Sequence, residues 1–375
     1  MRICHITTFK LKDARIYYRM CYGLAERGLS AVLVAPETPT EDMVVQCSAW
    51  NGRLARTSRS RRIGLALRAA LAEKADVYHI HEQELIPVAL VLKILHPSAA
   101  VVFDAREDYP ALMRMKYWIP KPLRPLLALT AHGANLIAGL CLDGIVAADP
   151  DVENDFRLLG AKRTCVYYNF PTLSLFAPGR AVPPAARVDL VYVGGMSDRT
   201  GIFVLLDALA LLAQEGIRPT VRLAGYTDGV GGQKTIRNGI DFRGLTAQVE
   251  LRGTLPYEEV PAWIRSGRIG LVPLLSLPKF MKNITTKTFE YWACGLPVIA
   301  SNLPPIHPFL TDGYNGVLFE PGSARDLARA IRLLLAAPAQ GEAMGRNGQQ
   351  QVYEIWNNGS QTADLLSFYE QLCKR

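Results

Sequence analysis

The stretch Thr285-Thr286-Lys287-Thr288-Phe289-Glu290-Tyr291-Trp292-Ala293-Cys294-Gly295-Leu296-Pro297-Val298-Ile299-Ala300-Ser301 decides how the chain reads. It divides into a loop, a short helix, a glycine stop and a buried strand. The two threonines suit the cap of a helix that starts at Lys287 or just before it. Gly295 supplies a left-handed residue that ends the helix, and Pro297 keeps it from continuing. Val298-Ile299-Ala300 then suits an interior parallel strand, apolar on both faces. Lys287 and Glu290 are three apart and share one helix face beside the positive N-terminal end. Free N–H groups there welcome an anion, Lys287 adds a full charge, and Glu290 adds an acceptor pair one turn deeper. A phosphate beside a polyol fits this arrangement, as in a nucleoside diphosphate next to its own ribose. Read from spacing alone, the pair is equally an ordinary solvated i,i+3 pair.

Outward from this stretch, the chain alternates strands and helices. Strands are expected at Ile3–Thr7, Ala31–Ala35, Ala75–His81, Ala100–Asp104 and Asp143–Ala147, with a helix from about Ala14 to Arg27. This pattern indicates a doubly wound parallel sheet whose ligands sit at the carboxyl ends of its strands. A second β/α series follows at Val188–Val193, Thr220–Leu223, Val249–Leu251, Ile269–Pro273, Val298–Ile299 and Gly316–Phe319. A proline-rich stretch separates the two. The expected division is an N-terminal domain over 1–170, a linker over 171–186, a C-terminal domain over 187–350 and terminal helices over 351–375. No repeat of 20–50 residues is visible.

With 375 residues, 49% of them hydrophobic, the chain exceeds what a single core sustains, so two domains are expected. It carries 42 Lys and Arg against 34 Asp and Glu, a net +8, which favours anionic partners. No nucleic-acid motif is present, and no apolar run is long enough to span a bilayer. Seven cysteines without any Cys-x-x-Cys spacing, behind a start that lacks a signal-peptide core, suggest reduced thiols in a cytoplasmic protein. Cys294 reads as a packing residue. The segment Met113–Leu127 mixes Arg114, Lys116, Lys121 and Arg124 with aromatic and aliphatic residues. It suits an anionic membrane surface on the inner face, or a loop and helix packed on the domain core.

Lys-x-x-Glu-Tyr-x-Ala-x-Gly-x-Pro-Val-Ile-Ala-Ser resembles the donor-binding signature of the retaining family 4 glycosyltransferases. The resemblance implies the GT-B fold: α/β, two Rossmann-like doubly wound parallel-sheet domains with an interdomain cleft. Asp13-Ala14-Arg15-Ile16, the run Ala75–Glu82 with Glu84-Leu85, Phe103–Pro110, Tyr168–Pro171 and Tyr192–Ser197 are similar, in the same order, to a bacterial surface-polysaccharide subgroup of that family. The implied activity is retaining transfer of a sugar from a nucleotide-diphosphate sugar to a saccharide or polyprenyl-linked acceptor. In such transfer the protein supplies positioning and charge stabilisation. Two alternatives share the fold: a catalytically silent sugar-nucleotide binder and a nucleotide-sugar epimerase.

The resemblance assigns donor binding to Gly194, Gly195, Arg199, Lys282, Asn283, Thr285, Thr286, Lys287 and Glu290, with Glu290 on the ribose. Gly194–Gly201 matches the family's diphosphate loop, although as residues it also reads as a plain β–α connection. Asp13, Arg15, His81 and Glu84 fall on the acceptor side. Arg106 and Glu107 are the catalytic candidates. The departures are specific. Lys282 stands where many relatives carry the first glutamate of a Glu-x7-Glu pair. Gly195 and Thr200 replace basic residues, with Arg199 displaced by one. Arg106 stands where relatives usually have histidine. Arginine stays protonated and cannot act as a base, so Arg106 either holds an anion or only pairs with Glu107 or Asp108. His79 and His81 lack the further ligands of a metal site, so neither cofactor nor metal is expected.

Overall fold

The computed structural model describes residues 1–39, 43–50, 58–116, 118–176, 187–227 and 232–374. Most of the expected linker, 177–186, lies outside the described residues. The chain forms two compact units, Met1–Thr172 with Asn358–Arg375, and Leu173–Asn357.

The first unit holds seven strands: β1 (Arg2–Ile6), β2 (Ser30–Ala35), β3 (Gln46–Ala49), β4 (Val77–Ile80), β5 (Ala100–Ala105), β6 (Gly144–Ala147) and β7 (Thr164–Val166). All pair in parallel, in the order β3-β2-β1-β4-β5-β6-β7. The order reverses between β1 and β4, which is where such sheets bind ligands, beyond the carboxyl ends. The two edge strands β3 and β7 escape the sequence pattern. Each is short, half-exposed and without an apolar run, since an edge strand buries only one side.

The expected helix over 14–27 is a π-helical turn at Ile16–Cys21 running into an α-helix at Tyr22–Glu26. The Met20 amide reaches back to the Arg15 carbonyl at 3.0 Å, five residues away, and the whole Ile16–Cys21 run is buried. Wide turns of this kind recur at functional sites. Here the turn follows Asp13 and Arg15 directly.

The second unit holds β8 (Val188–Val193), β9 (Val221–Ala224), β10 (Val249–Arg252), β11 (Gly267–Val272), β12 (Val298–Ser301) and β13 (Gly316–Phe319). They form a parallel sheet in the order β10-β9-β8-β11-β12-β13, with the reversal between β8 and β11. Its core joins Leu190, Leu205, Leu209, Leu223, Leu271, Ile299 and Ile331, each fully or almost fully buried. Each such side chain contributes about 1.5–3 kcal/mol on burial.

The helix Pro338–Glu354 stays with this unit, so only the last helix, Asn358–Cys373, returns to the first. Gly345 and Gly348 let the Pro338–Glu354 helix press on the segment that ends at β12. A Cβ on Gly348 would meet the Trp292 ring at 2.1 Å, and one on Gly345 the Gly295 carbonyl at 2.1 Å. In the first unit, the Tyr369 hydroxyl meets His79 Nδ1 at 2.6 Å. All seven cysteines are free thiols.

Candidate functional site

In the second unit, the deciding stretch folds as a helix at Thr286–Ala293 followed by β12. Gly295 has φ +77°. Its N–H donates to the Trp292 carbonyl at 2.8 Å, and the Leu296 N–H to the Tyr291 carbonyl at 3.0 Å. That double return closes the helix as the glycine requires. The start differs from expectation. Thr285 occupies the cap position in extended conformation, but its side chain makes no capping bond. The first amides of this helix are therefore not satisfied by the Thr285 hydroxyl.

Lys287 lies against the turn after β8. Gly194 has φ +143°, and a Cβ there would fall 2.1 Å from Lys287 Cε. The absence of a side chain at 194 is what admits the lysine. Gly225, at the end of β9 with φ +144°, is forced by the same crowding, since a Cβ there would lie 1.9 Å from the Gly194 carbonyl oxygen. Lys287 Nζ sits 5.6 Å from the centre of the Tyr192 ring. Burial pushes its ammonium pKa down to about 8, opposed by Glu290 and reinforced by Lys279. Glu290 is buried, and its Oε1 accepts from the Tyr257 hydroxyl at 2.8 Å. Gly195 faces the Tyr226 ring. Arg199 lies on the short turn Asp198–Thr200, its Nε 4.0 Å from Asp198. Asn283 and Thr285 are half-buried on the loop before the helix, and Lys282 is exposed there. The structure thus gathers Gly194, Lys287 and Glu290 at the carboxyl ends of β8 and β11, the switch point of this sheet. Tyr192, Tyr226, Tyr257, Gly225 and Lys279 join them. Of these five only Tyr192 lay in a stretch quoted for the resemblance, and none was named as a site residue, although a glycine closing β9 was a visible signal.

In the first unit, a polar cluster fills the carboxyl ends of β1, β4 and β5. Asp104, fully buried, accepts from Arg15 Nε at 3.0 Å and Nη2 at 2.7 Å, from His81 at 2.9 Å, and from Arg106 Nε at 3.2 Å. Burial alone would raise its pKa, but Arg15 and the His81 bond hold the carboxyl well below the usual range. Arg15 spends the rest of its guanidinium on the Tyr167 carbonyl and the Asn169 amide oxygen, both at 2.8 Å. It therefore fixes Asp104 against β7 and the following turn.

His81 is engaged in the same way. It is fully buried, its Nδ1 faces Asp104, and its Nε2 is 2.9 Å from His5 Nδ1, with the rings within 16° of coplanar. His5 was not anticipated; β1 brings it beside β4 by parallel register. Burial lowers the pKa of His5, His79 and His81, so the three imidazoles are neutral at pH 7. Their nitrogens approach within 4.8 Å. His81 Nδ1 is engaged by Asp104 and its Nε2 by His5, while His5 Nε2 and His79 Nε2 have no hydrogen-bond partner.

Arg106 sits at the edge of the same cluster. It pairs with Asp104 at 3.2 Å and with Asp13 at 3.5 Å. Asp108 caps the following helix through the Ala111 amide. Asp13 also accepts from the Arg15 and Ile16 amides, and Arg106 holds its pKa down against burial. Glu82, missed as a site residue, is buried between the Thr7 hydroxyl at 2.7 Å and the Thr8 amide at 3.0 Å. Burial raises its pKa to about 7, and Arg106 opposes the rise. Glu84 accepts from the Thr8 hydroxyl at 2.6 Å, and Glu107 is half-buried next to Arg106.

The comparisons define the class first. Over nearly the whole chain the structure resembles sucrose-phosphate synthase from Thermosynechococcus elongatus, with TM-score 0.76 and 19% identity, covering 99% of this chain and 98% of that one. It also resembles Anabaena HepE in complex with UDP and glucose, with TM-score 0.75 and 16% identity, covering 99% and 100%. Two parallel-sheet Rossmann-like units in this arrangement of strands are the GT-B fold. Residues 187–337 match the sequence family described as glycosyl transferases group 1.

Relatives by sequence include a D-inositol 3-phosphate glycosyltransferase of Thermobifida fusca, 25% identical over 58% of this chain and 52% of that protein. Another is the amylovoran biosynthesis glycosyltransferase AmsK of Erwinia amylovora, 31% identical over 41% and 36%. The chain spans about half the length, or less, of the curated relatives it matches.

Gly194→Ala tests the packing under Lys287. It is expected to cost about 1–3 kcal/mol from the backbone conformation alone. It also displaces the flexible end of Lys287 instead of disrupting the core. Urea unfolding reads the first effect, and anion affinity reads the second.

Proposed function

We propose that this protein is a glycosyltransferase. It moves a sugar, with retention, from a nucleotide-diphosphate sugar to a saccharide or lipid-linked saccharide in surface-polysaccharide synthesis. The observation that carries the reading is Lys287 packed on Gly194 at the end of β8, with Glu290 one turn deeper at the end of β11. A diphosphate accepts from the uncapped helix start and from the Lys287 ammonium, while Glu290 accepts ribose hydroxyls. Arg199, Lys282, Asn283, Thr285 and Thr286 line the approach. Lys287 and the helix dipole supply the charge that a metal would otherwise provide, so the donor needs no cation. Relatives named for amylovoran and colanic acid biosynthesis support the polysaccharide role.

The first unit contributes Arg106 and Glu107 as catalytic groups, with Asp13, Glu84 and Glu82 toward the acceptor. In the transfer, the bond from the anomeric carbon to the phosphate oxygen breaks and one to the acceptor oxygen forms. The acceptor proton leaves with the phosphate. Arg106, permanently charged, stabilises that leaving oxygen by position and not by proton transfer.

Turnover of a panel of nucleotide sugars, with and without saccharide acceptors, tests this reading. Acceptor-dependent release of the nucleoside diphosphate is expected. Binding without any turnover, or donor interconversion without acceptor, would contradict it.

Lys287→Ala is expected to weaken a nucleoside diphosphate about tenfold more than the bare nucleoside, the scale of one charge-assisted bond. Affinity should also depend on pH with a fixed sign. Below about 8 the free lysine is already charged, and affinity is flat. Above it, binding must take up a proton, and affinity falls by up to tenfold per pH unit. Titration calorimetry from pH 7 to 9.5 reads the slope, which Lys287→Ala should abolish.

A further inference from the structure

The helix Arg124–Cys141 is wrapped in apolar residues on both faces. Ala128, Ala131, Asn135, Ala138 and Gly139 form the face buried against its own unit. The opposite face carries Leu126, Leu129, Leu136, Ile137 and Leu140 at helical spacing. Leu126, Leu129 and Leu140 are 58%, 66% and 62% exposed. Trp118, just before the helix, is 65% exposed with Lys116 Nζ 5.1 Å from its ring centre. An exposed leucine stripe of this length, about 21 Å from Leu126 to Leu140 at 1.5 Å per residue, is more than the scattered apolar residues of an ordinary surface.

Within the segment itself the charge has one sign. From Tyr109 to Leu142 the sequence contains Arg114, Lys116, Lys121 and Arg124 and not a single carboxylate.

We infer that this face lies in the surface of an anionic lipid bilayer, with the leucines among the acyl chains and the cations at the headgroups. Among the described residues no helix is long and apolar enough to cross a membrane, so this helix lies along the surface. A second copy of the chain is the poorer occupant, because symmetric pairing would set like charges against each other. The inference extends the basic segment 113–127 to Leu140 and stands apart from the donor site, which belongs to the second unit.

The test is sedimentation of the full chain with vesicles of phosphatidylcholine alone or mixed with phosphatidylglycerol. Binding to the anionic vesicles at low salt is expected, weakening as salt rises. Lys121→Gln and Arg124→Gln should each cost about fivefold, the equivalent of roughly 1 kcal/mol per cation. Leu129→Glu with Leu136→Glu and Leu140→Glu should abolish binding while nucleoside diphosphate affinity stays unchanged, which also reports folding. Trp118 emission in the unaltered chain should shift blue on anionic vesicles, and Trp118→Phe should remove that shift.

Equal partition onto neutral and anionic vesicles, or none onto either, would overturn the inference. So would concentration-dependent self-association that the glutamate substitutions abolish, which would assign the face to a second copy.

Discussion

Glu290→Ala is expected to weaken nucleoside diphosphate binding by roughly 1.5–3 kcal/mol, or about 10- to 150-fold, the scale of hydrogen bonds to a charged group. The carboxylate sits at the fifth residue of a helix closed by Gly295 and held by Trp292, whose ring nitrogen donates to the Asn315 carbonyl at 2.7 Å. Its frame is therefore fixed before any ligand arrives, and little ordering cost offsets the bond. The substitution also removes the acceptor of the Tyr257 hydroxyl, but Tyr257 is half-exposed and water can replace it. Fold stability should change little. Tyr257→Phe provides the control. If Tyr257 only steadies Glu290, its loss should cost a fraction of the Glu290→Ala effect. Unchanged affinity in Glu290→Ala, measured by calorimetry, would remove the ribose assignment.

Arg106→Ala is expected to lower turnover by one to two powers of ten while nucleotide affinity stays near that of the unaltered chain, since the second unit holds the nucleotide in the proposed function. Arg106 lies between two carboxylates of low pKa, Asp104 and Asp13. Asp104 keeps Arg15 when Arg106 is lost, so the cluster survives. The sign of the accompanying pH change is fixed by Glu82. Arg106 holds the Glu82 pKa down to about 7, so its removal moves that pKa upward. If activity needs the Glu82 carboxylate, the acid limb of the pH–rate profile shifts to higher pH in Arg106→Ala, a result that simple misfolding would not produce. Arg106→Lys should keep the limb in place. Arg106→His, the residue usual in the resembling family, should retain partial activity if the role is contact with the sugar. It should lose activity if a permanent charge is required. Undiminished turnover in Arg106→Ala would limit Arg106 to a structural role.

Much of this was legible in the sequence because it was local. The helix stop at Gly295, the shared face of Lys287 and Glu290, and the apolar strands Val188–Val193 and Gly316–Phe319 follow from spacing within a few residues. What escaped depends on residues far apart in the chain. His5 joins His81 across 76 positions, Arg15 meets Asp104 across 89, and Tyr257 reaches Glu290 across 33. Each is set by sheet order or loop path, which local spacing does not encode. The same cause explains why Arg15 and His81 looked available for an acceptor. Their polar chemistry was visible, but the buried partners that consume it were not. Thr285 illustrates the reverse: its type suits a cap, yet its hydroxyl does not take the role. The edge strands Gln46–Ala49 and Thr164–Val166 lacked a signal because one-sided burial requires no continuous apolar run.

The central claim is that the strand-end site of the second unit holds a nucleoside diphosphate. Calorimetric titration of UDP, GDP and ADP into the full chain, repeated on Lys287→Ala and Glu290→Ala, tests it most directly. At least one diphosphate should bind without added metal, and both substitutions should weaken it, Lys287→Ala acting on the diphosphate but not on the matching nucleoside. Binding of none of the three, or binding indifferent to both substitutions, would contradict the account.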